Sequence, residues 1–399
     1  MIMLSNNHWQ NCRPRAEARL LPSITSFFTP FYKNNMKKLL TLIAIFTIAF
    51  NANAQEEKKT TVIQLPQWVQ DIKLSGYGML QYQGHDMPGA HDNSFNLRLA
   101  RLSLEGRILN HFYWKTQMQI NGNTSTLGSS PRLVDLFGEW QKYSYFKVKA
   151  GQFKRPFSFE NPMHPITQGF MSYSQNVSKL VGFSDRTGEH ASNGRDIGLQ
   201  IQGDFLKNSR GRELLHYQIG VFNGEGINKK DADNRKDIIG GMWVMPIKGM
   251  RIGAFGWTGS RVMDVERIVD DVPVVKKESV EKNRYALSAE YCFDDWTFRT
   301  EYIHSQGYGA KREAGDKADG YYALCIAPVI KNKCHVKARY DLYRDRKEWG
   351  TAKTYYEIGA DYVFSKNLQI NFEYARVNDK TLPDKHSYNL IDLELDFRF

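Results

Sequence analysis

The sequence predicts an all-β protein, a sixteen-stranded antiparallel transmembrane barrel, and three observations carry that prediction. Segments of about ten residues alternate apolar and polar side chains; their number is even; and the connections between them alternate strictly between tight and long. Apolar residues make up 41%, aromatics 13% and charged residues 24% of 399 residues. Neither a disordered chain nor a polytopic helical membrane protein has that composition. The mean hydropathy of -0.53 is compatible with a barrel, because each strand averages one apolar face with one polar face.

The segment from Met36 is a separate element. Lys37 and Lys38 precede an apolar run from Leu39 to Phe50, followed by Ala52, Asn53 and Ala54. A charged start, a short apolar stretch and an A-x-A end form a secretory leader cleaved before Gln55. Twelve apolar residues are too few to cross a bilayer. Residues 1–35, which include Cys12, read as an over-extended start upstream of the true initiator, Met36. Residues 55–70 read as a short periplasmic segment and 71–399 as the barrel. Residues 1–54 carry six Lys or Arg and one acid, so their removal leaves 345 residues and lowers the net charge from +11 to +6. The remaining charge forms no Lys/Arg run, which argues against a nucleic-acid partner. Cys292, Cys325 and Cys334 remain, and the readings are three unpaired thiols or a Cys325 to Cys334 bridge.

Each strand shows its phase. Ile72, Leu74, Leu80 and Tyr82 oppose Lys73, Ser75 and Gln81; Phe112, Trp114, Met118 and Ile120 oppose Lys115, Gln117 and Gln119. Ile197, Leu199, Ile201 and Phe205 oppose Asp196, Gln200 and Gln202, and Leu368, Ile370, Phe372 and Tyr374 oppose Gln369, Asn371 and Glu373. Strand starts fall near Asp71, Phe95, Phe112, Leu133, Tyr145, Asp196, Leu214, Asp237, Met250, Tyr285, Trp296, Tyr321, Cys334, Tyr355, Leu368 and Tyr388. The tight connections lie at Leu109-Asn110, Tyr143-Ser144, Lys207 to Glu213, Pro246 to Gly249, Asp294-Asp295, Lys331-Asn332 and Ser365 to Asn367. The long ones lie at Gly84 to Ser94, Asn121 to Arg132, Lys154 to Arg195, Asn223 to Lys236, Ser260 to Arg284, Ser305 to Gly320, Arg344 to Thr354 and Val377 to Ser387. The final strand runs to Phe399. In hydrocarbon every backbone group must be paired, so such a sheet closes on itself, and sixteen strands leave a lumen wide enough for an aqueous channel. Tyr82, Tyr113, Trp140, Tyr145, Trp257, Trp296, Tyr302, Tyr362 and Phe364 read as interfacial girdles, which a soluble propeller or adhesin would not need.

FNLRLARLSLEGRI (95–108), VKAGQFKRPFSFE (148–160), GRDIGLQIQGDF (194–205) and YQIGVFNGEGINKKDADNRKDIIG (217–240) resemble the phosphate-selective porin O/P family, and the likeness extends from Asp71 to Phe399. The resemblance implies a homotrimeric channel in the outer membrane of a Gram-negative bacterium, in contact with its lipid. It further implies basic lumen residues that favour small anions such as phosphate, and a loop folded inward to constrict the pore. Its motifs place Arg98, Arg101, Lys154 and Arg155 at the basic lining.

The polar faces give Lys73, Arg98, Lys115, Lys147, Lys149, Arg299, Lys337 and Arg339 as inward cations. Arg101 joins them through a β-bulge where the apolar phase switches between Leu99 and Leu102. The long segment Lys154 to Arg195 would bring His164, Lys179, Arg186, His190 and Arg195 into the lumen. The same faces carry Asp135, Glu139, Glu290, Glu301, Asp341, Glu357, Asp361, Glu373, Asp392 and Glu394. The Asp294-Asp295 turn pairs Phe293 with Trp296 and sets Glu290 opposite Arg299; the Tyr143-Ser144 turn sets Glu139 opposite Lys147 or Lys149. Opposed charges cancel much of their field, so phosphate selectivity does not follow from these residues alone. An enzymatic reading, a rim phospholipase using Ser288 or Ser305 with His304, lacks a framing nucleophile motif, and no catalytic residue, cofactor or metal site is assigned. His85 and His91 beside Asp86 and Asp92 read as a solvated loop. A ligand-specific uptake channel or receptor would share the fold and differ in the charged loop tips at 229–236 and 265–282.

Overall fold

The computed structural model describes residues 69–90, 92–121, 131–183, 192–269, 272–307 and 317–399. The leader, the upstream extension with Cys12, most of the 55–70 segment, and His91, Arg186 and His190 lie outside the described residues. Sixteen antiparallel strands form one closed barrel in sequence order, with β16 hydrogen-bonded to β1. The strands are β1 (Val69–His85), β2 (Asp92–Ile108), β3 (Phe112–Gln119), β4 (Arg132–Trp140), β5 (Lys147–Lys154), β6 (Arg195–Lys207), β7 (Glu213–Phe222) and β8 (Asp237–Val244). They continue as β9 (Met250–Val269), β10 (Val272–Phe293), β11 (Trp296–Gly307), β12 (Lys317–Ile330), β13 (Cys334–Arg344), β14 (Ala352–Ser365), β15 (Leu368–Asp379) and β16 (Ser387–Arg398). The C-terminal residue completes the closure: Phe399 N donates to Gly76 O at 3.0 Å and Gly76 N donates to Phe399 O at 3.2 Å.

Alternation decides which face each residue joins. Leu74 is 64% exposed and Ile358 61% exposed on the outside, while their strand neighbours Ser75 and Glu357 turn inward. In water such an apolar surface would be a liability; in lipid it is the required one. The tight turns use residues that tolerate left-handed backbone. Asp294 (φ 42°) and Asp295 (φ 73°) make a two-residue turn whose twist matches that of the flanking strands, and it fixes the pairs Phe293 with Trp296 and Glu290 with Arg299.

Three sequence-based expectations are corrected. The segment Ser260 to Arg284 is not a loop, because β9 and β10 stay paired from Tyr291 with Met250 up to Val272 with Val269. Beyond Thr258 on β9, and before Lys282 on β10, they pair with each other alone and project as a two-stranded ribbon. Its residues carry charge on both faces, so the apolar phase that marks a lipid-spanning strand is absent. The β2 bulge sits one step earlier than expected: Met79 pairs with Leu99 and Leu80 with Leu97, which leaves Arg98 as the extra residue. Leu99 therefore points inward, against Tyr77, Met79 and Ile166. Tyr113 and Trp257 are not girdle residues. Tyr113 Oη donates to Glu105 at 2.7 Å, and Trp257 is 4% exposed with its Nε1 donating to Asp237 at 2.8 Å.

Elsewhere aromatic side chains cluster at both ends of the wall. At the periplasmic end Phe293, Trp296 and Phe298 stack, as do Tyr143 and Tyr145. At the outer end Tyr285 meets Tyr302, and Tyr340 lies between Tyr321 and Tyr356. Cys325 and Cys334 are unbridged. In the first long loop, backbone and side-chain N–H groups of Asn389 hold the Asp86 carboxyl below its usual range and tie that loop to β16.

One buried clamp near the periplasmic end joins three strand regions. His335 Nδ1 lies 2.7 Å from Asp361 and Nε2 lies 2.9 Å from Asp295, and both carboxylates are fully buried. Replacing His335 by Ala leaves two buried carboxylates facing an apolar side chain, and removing one partner of a buried ionic group costs roughly 3–5 kcal/mol. The midpoint of urea unfolding, followed by tryptophan fluorescence, should fall accordingly; an unchanged midpoint would show that the clamp contributes nothing net.

Candidate functional site: the lumen and its inward loop

Between β5 and β6 the chain folds into the barrel, and nearly every described residue from Arg155 to Phe183 is buried or half-buried. The sequence gives the loop an apolar side and a set of backbone groups that need partners, and the wall supplies both. Phe157 and Phe159 pack edge-on against Trp257, Trp243 and Phe255 of β8 and β9. Phe170 packs among Tyr322, Leu324 and Ile326 of β12. A short helix α1 (Gln175–Leu180) follows, capped by Ser174, whose side chain accepts from Val177 N. Gly320 on β12 lets α1 approach: a Cβ there would lie 1.8 Å from Asn176 Oδ1.

Wall carboxylates receive the loop's N–H groups. Glu301 accepts from Phe159 N at 2.9 Å and Glu160 N at 2.8 Å, Glu373 from Met171 N at 2.8 Å, and Asp341 from Gln175 N at 2.8 Å. Wall cations donate to the loop's carbonyls. Arg299 reaches Gln168 O, Lys337 reaches Gly169 O and Arg339 reaches Ser172 O, each at 2.9 Å. Arg284 donates to Leu180 O at 2.5 Å. Inside the loop, Glu160 accepts from Ser174 N at 3.1 Å and from its hydroxyl. These are charge-assisted bonds in a confined space, the stronger class of hydrogen bond.

This fastening decides what the predicted lumen cations do. Arg299 and Arg251 both bind Glu290, at 2.7 and 2.6 Å, so the expected Glu290–Arg299 pair has a second arginine that alternation alone did not single out. Lys337 pairs with Glu373 and Arg339 with Glu357. Arg155 meets Asp196 at 3.2 Å and donates to Val181 O and Ser192 Oγ. Lys154 donates to Asn161 O and Met163 O at 2.7 Å and to Tyr173 Oη at 3.0 Å. These five residues belong to the loop's seat. Four others pair with wall acids: Arg98 with Glu394 at 2.9 Å, Lys115 with Glu105 at 3.6 Å, Lys147 with Asp204 at 3.1 Å, and Lys149 with Glu139 at 3.8 Å. The register resolves the Glu139 alternatives in favour of Lys149. Lys73 is exposed near the periplasmic mouth, level with Glu105.

Arg101 stands apart. It is 2% exposed, and its guanidinium donates to neutral amides: Nε and Nη2 to Gln119 Oε1 at 3.2 and 3.1 Å, and Nη1 to Gln117 Oε1 at 3.5 Å. Nearby Arg195 is neutralised by Asp135 at 2.6 Å. Arg101 and Lys154 thus have no carboxylate within ion-pair distance among the described residues. The opposite kind of patch lies on β15 and β16. There Asp392 accepts from Gln81 and Gln83, and Asp396 from Gln369 and Asn371.

The comparisons with known proteins agree with this architecture. Residues 54–226 match the family described as phosphate-selective porin O and P, and residues 249–382 match that of the Gram-negative porins. No curated protein matches the chain. Among solved structures, the anion-selective porin from Comamonas acidovorans superposes with a TM-score of 0.61 at 13% identity, over 83% of this chain and 100% of that one. OmpF of Salmonella typhi, solved in complex with daunomycin, gives 0.59 at 11% identity, over 84% and 100%. OmpT of Vibrio cholerae in its trimer form gives 0.55 at 11% identity, over 82% and 99%. With two porin-family models matching in succession along a closed sixteen-stranded barrel, the chain belongs to the outer-membrane porins of Gram-negative bacteria.

Proposed function

We propose that this porin passes small polar solutes by passive diffusion with a modest preference for anions, that it does so as a homotrimer, and that it performs no catalysis. Arg101 carries the reading: it is a permanent cation held at the lumen by neutral amides, so its field is not cancelled at contact distance as that of its neighbours is. A steep phosphate preference needs several unpaired cations converging on one oxyanion. Here eight of the eleven candidate cations lie within 4 Å of a carboxylate.

The three-fold assembly is supported by the wall height. The strands β3, β4 and β5 have 8, 9 and 8 residues, against 12 for β11 and 14 for β12. Their outward positions Met118 and Leu136, with Ile120 just past the end of β3, are apolar and exposed, a low sector suited to contact with a second barrel. Residues 36–54 are assigned to the secretory leader, 1–35 to an upstream extension and 55–70 to a periplasmic segment.

The test is single-channel recording of the refolded barrel in a planar bilayer across a KCl gradient. Steps in groups of three with a reversal potential on the chloride side are expected. A reversal potential at zero or on the potassium side would overturn the anion preference, and single steps would overturn the trimer.

A further inference from the structure

We propose that the lumen wall on the periplasmic side of β3, β4 and β5 is a binding subsite for small aromatic carboxylates, an inference that rests on the porin reading and names a solute class for it. The register brings Tyr113 and Lys115 of β3, Phe137 of β4 and Lys149 of β5 onto one inward patch: Lys115 pairs with Phe137, Tyr113 with Glu139, and Glu139 with Lys149. The rings of Tyr113 and Phe137 lie 6.0 Å apart, tilted by 54°, and both are only half-buried. By contrast, the inward rings of Phe255, Trp257 and Tyr322 are at most 4% exposed beneath the loop. Opposite Phe137 stands Gly151 at φ 126°, where a Cβ would lie 2.7 Å from Phe137 Cα, so β5 puts no side chain directly beside that ring. Apolar ring surface left open to a wet lumen favours a flat apolar solute that covers it. A channel for inorganic ions alone needs no such surface.

Positive charge stands beside the rings. Lys149 Nζ lies 5.0 Å from the centroid of Phe137. The carboxylate contacts of the two lysines, Lys115 to Glu105 at 3.6 Å and Lys149 to Glu139 at 3.8 Å, are longer than hydrogen bonds, and their side chains are 27% and 18% exposed. An ammonium carries three donors, so each lysine keeps donors for an incoming oxyanion. The carboxylates are engaged by neutral groups. Glu105 accepts from Tyr113 Oη at 2.7 Å, and Glu139, 3% exposed, accepts from Gln141 Nε2 at 3.0 Å and Gln202 Nε2 at 2.5 Å. One inward step along β3, Gln117 meets the guanidinium of Arg101, which adds a field of the same sign. A solute that lays its ring on Tyr113 and Phe137 and turns its carboxylate to Lys115 and Lys149 uses both features. Inorganic phosphate uses only the lysines, and a neutral arene uses only the rings. The seat lysine Lys337 offers no such pair of contacts, because Glu373 and Gly169 O hold it within hydrogen-bond distance.

The experiment records single channels of the refolded mature barrel across a KCl gradient, first alone and then with benzoate, acetate or benzamide at equal millimolar concentration. Benzoate should lower the time-averaged current, and acetate and benzamide should each need about fivefold more for the same block, which is the scale of a ring contact or a screened charge. Phe137→Leu keeps an apolar side chain and every charge; it should weaken the benzoate block about fivefold and leave the acetate response where it was. No block of the wild type by benzoate, equal block by acetate or by benzamide, or undiminished benzoate block in Phe137→Leu would overturn the proposal, and the wild-type comparison decides it even where the variant does not fold. The recording in KCl alone tests the porin reading separately. A chloride-side reversal potential with no benzoate block sinks the subsite and leaves that reading intact, whereas the absence of conductance steps sinks both.

Discussion

Replacing Glu301 by Ala should roughly double the single-channel conductance and add open-channel noise, because this carboxylate holds the first turn of the inward loop against β11 and the passage is what the loop leaves open. Glu301 is 1% exposed and accepts from Phe159 N, Glu160 N, Tyr322 Oη at 2.7 Å and Ser288 Oγ at 2.5 Å. Hydrogen bonds to a charged acceptor contribute about 1.5–3 kcal/mol each. The two backbone bonds alone are therefore roughly 3–6 kcal/mol of loop docking. Their loss frees Phe157 and Phe159 to leave the Trp257 and Phe255 seat, while Glu373 and Asp341 still hold Met171 and Gln175. The loop should loosen at its root without detaching. Glu301→Gln tests the same bonds with the volume kept, since its amide NH2 would face donors that need an acceptor; it should resemble the alanine variant. Wild-type conductance and noise in both variants would show that the apolar seat alone positions the loop.

The barrel was legible from the chain because lipid imposes a rule on every residue of every strand. Alternation fixed the faces, and turn chemistry at Asp294 and Asp295 fixed the register that joins Glu290 to Arg299. The strand ends were read too early wherever the solvent-exposed part of a strand lost its apolar phase, as in the β9–β10 ribbon. The roles of the inward charges were less legible. Alternation says that Arg299, Lys337 and Arg339 point inward; it does not say that backbone carbonyls of residues 168 to 172 will meet them. A contact between residues more than a hundred positions apart leaves no periodic trace. Arg251 was missed because the inward face of its segment is otherwise aromatic or small, and Arg284 because the sequence places it at the end of the long connection from Ser260. Trp257 was misassigned to a girdle because its residue type suits an interface, whereas its phase, shared with Phe255 and Arg251, turns it toward the loop.

The second large effect concerns selectivity, and pairing determines how it must be measured. Arg101→Gln should move the reversal potential toward the cation side by the equivalent of about a three- to fivefold fall in anion-to-cation permeability, since one uncancelled charge in a wet, screened lumen biases an ion by about 1 kcal/mol or less. A single substitution at Lys149 would be misleading. It removes one charge as well, and it strands Glu139, which lies 3.8 Å away, so the lumen gains an unpaired anion. The informative comparison is the double variant Lys149→Gln with Glu139→Gln, which deletes a pair and leaves the net charge unchanged. If pairing cancels the field, the double variant should keep the wild-type reversal potential while Arg101→Gln shifts it. The shift should shrink when KCl is raised from 0.1 to 1 M, because the screening length falls from about 10 to about 3 Å. Equal shifts in Arg101→Gln and the double variant would mean that each cation acts through local contact with the permeating ion, and the lumen would then be a series of binding sites in which paired and unpaired cations count alike.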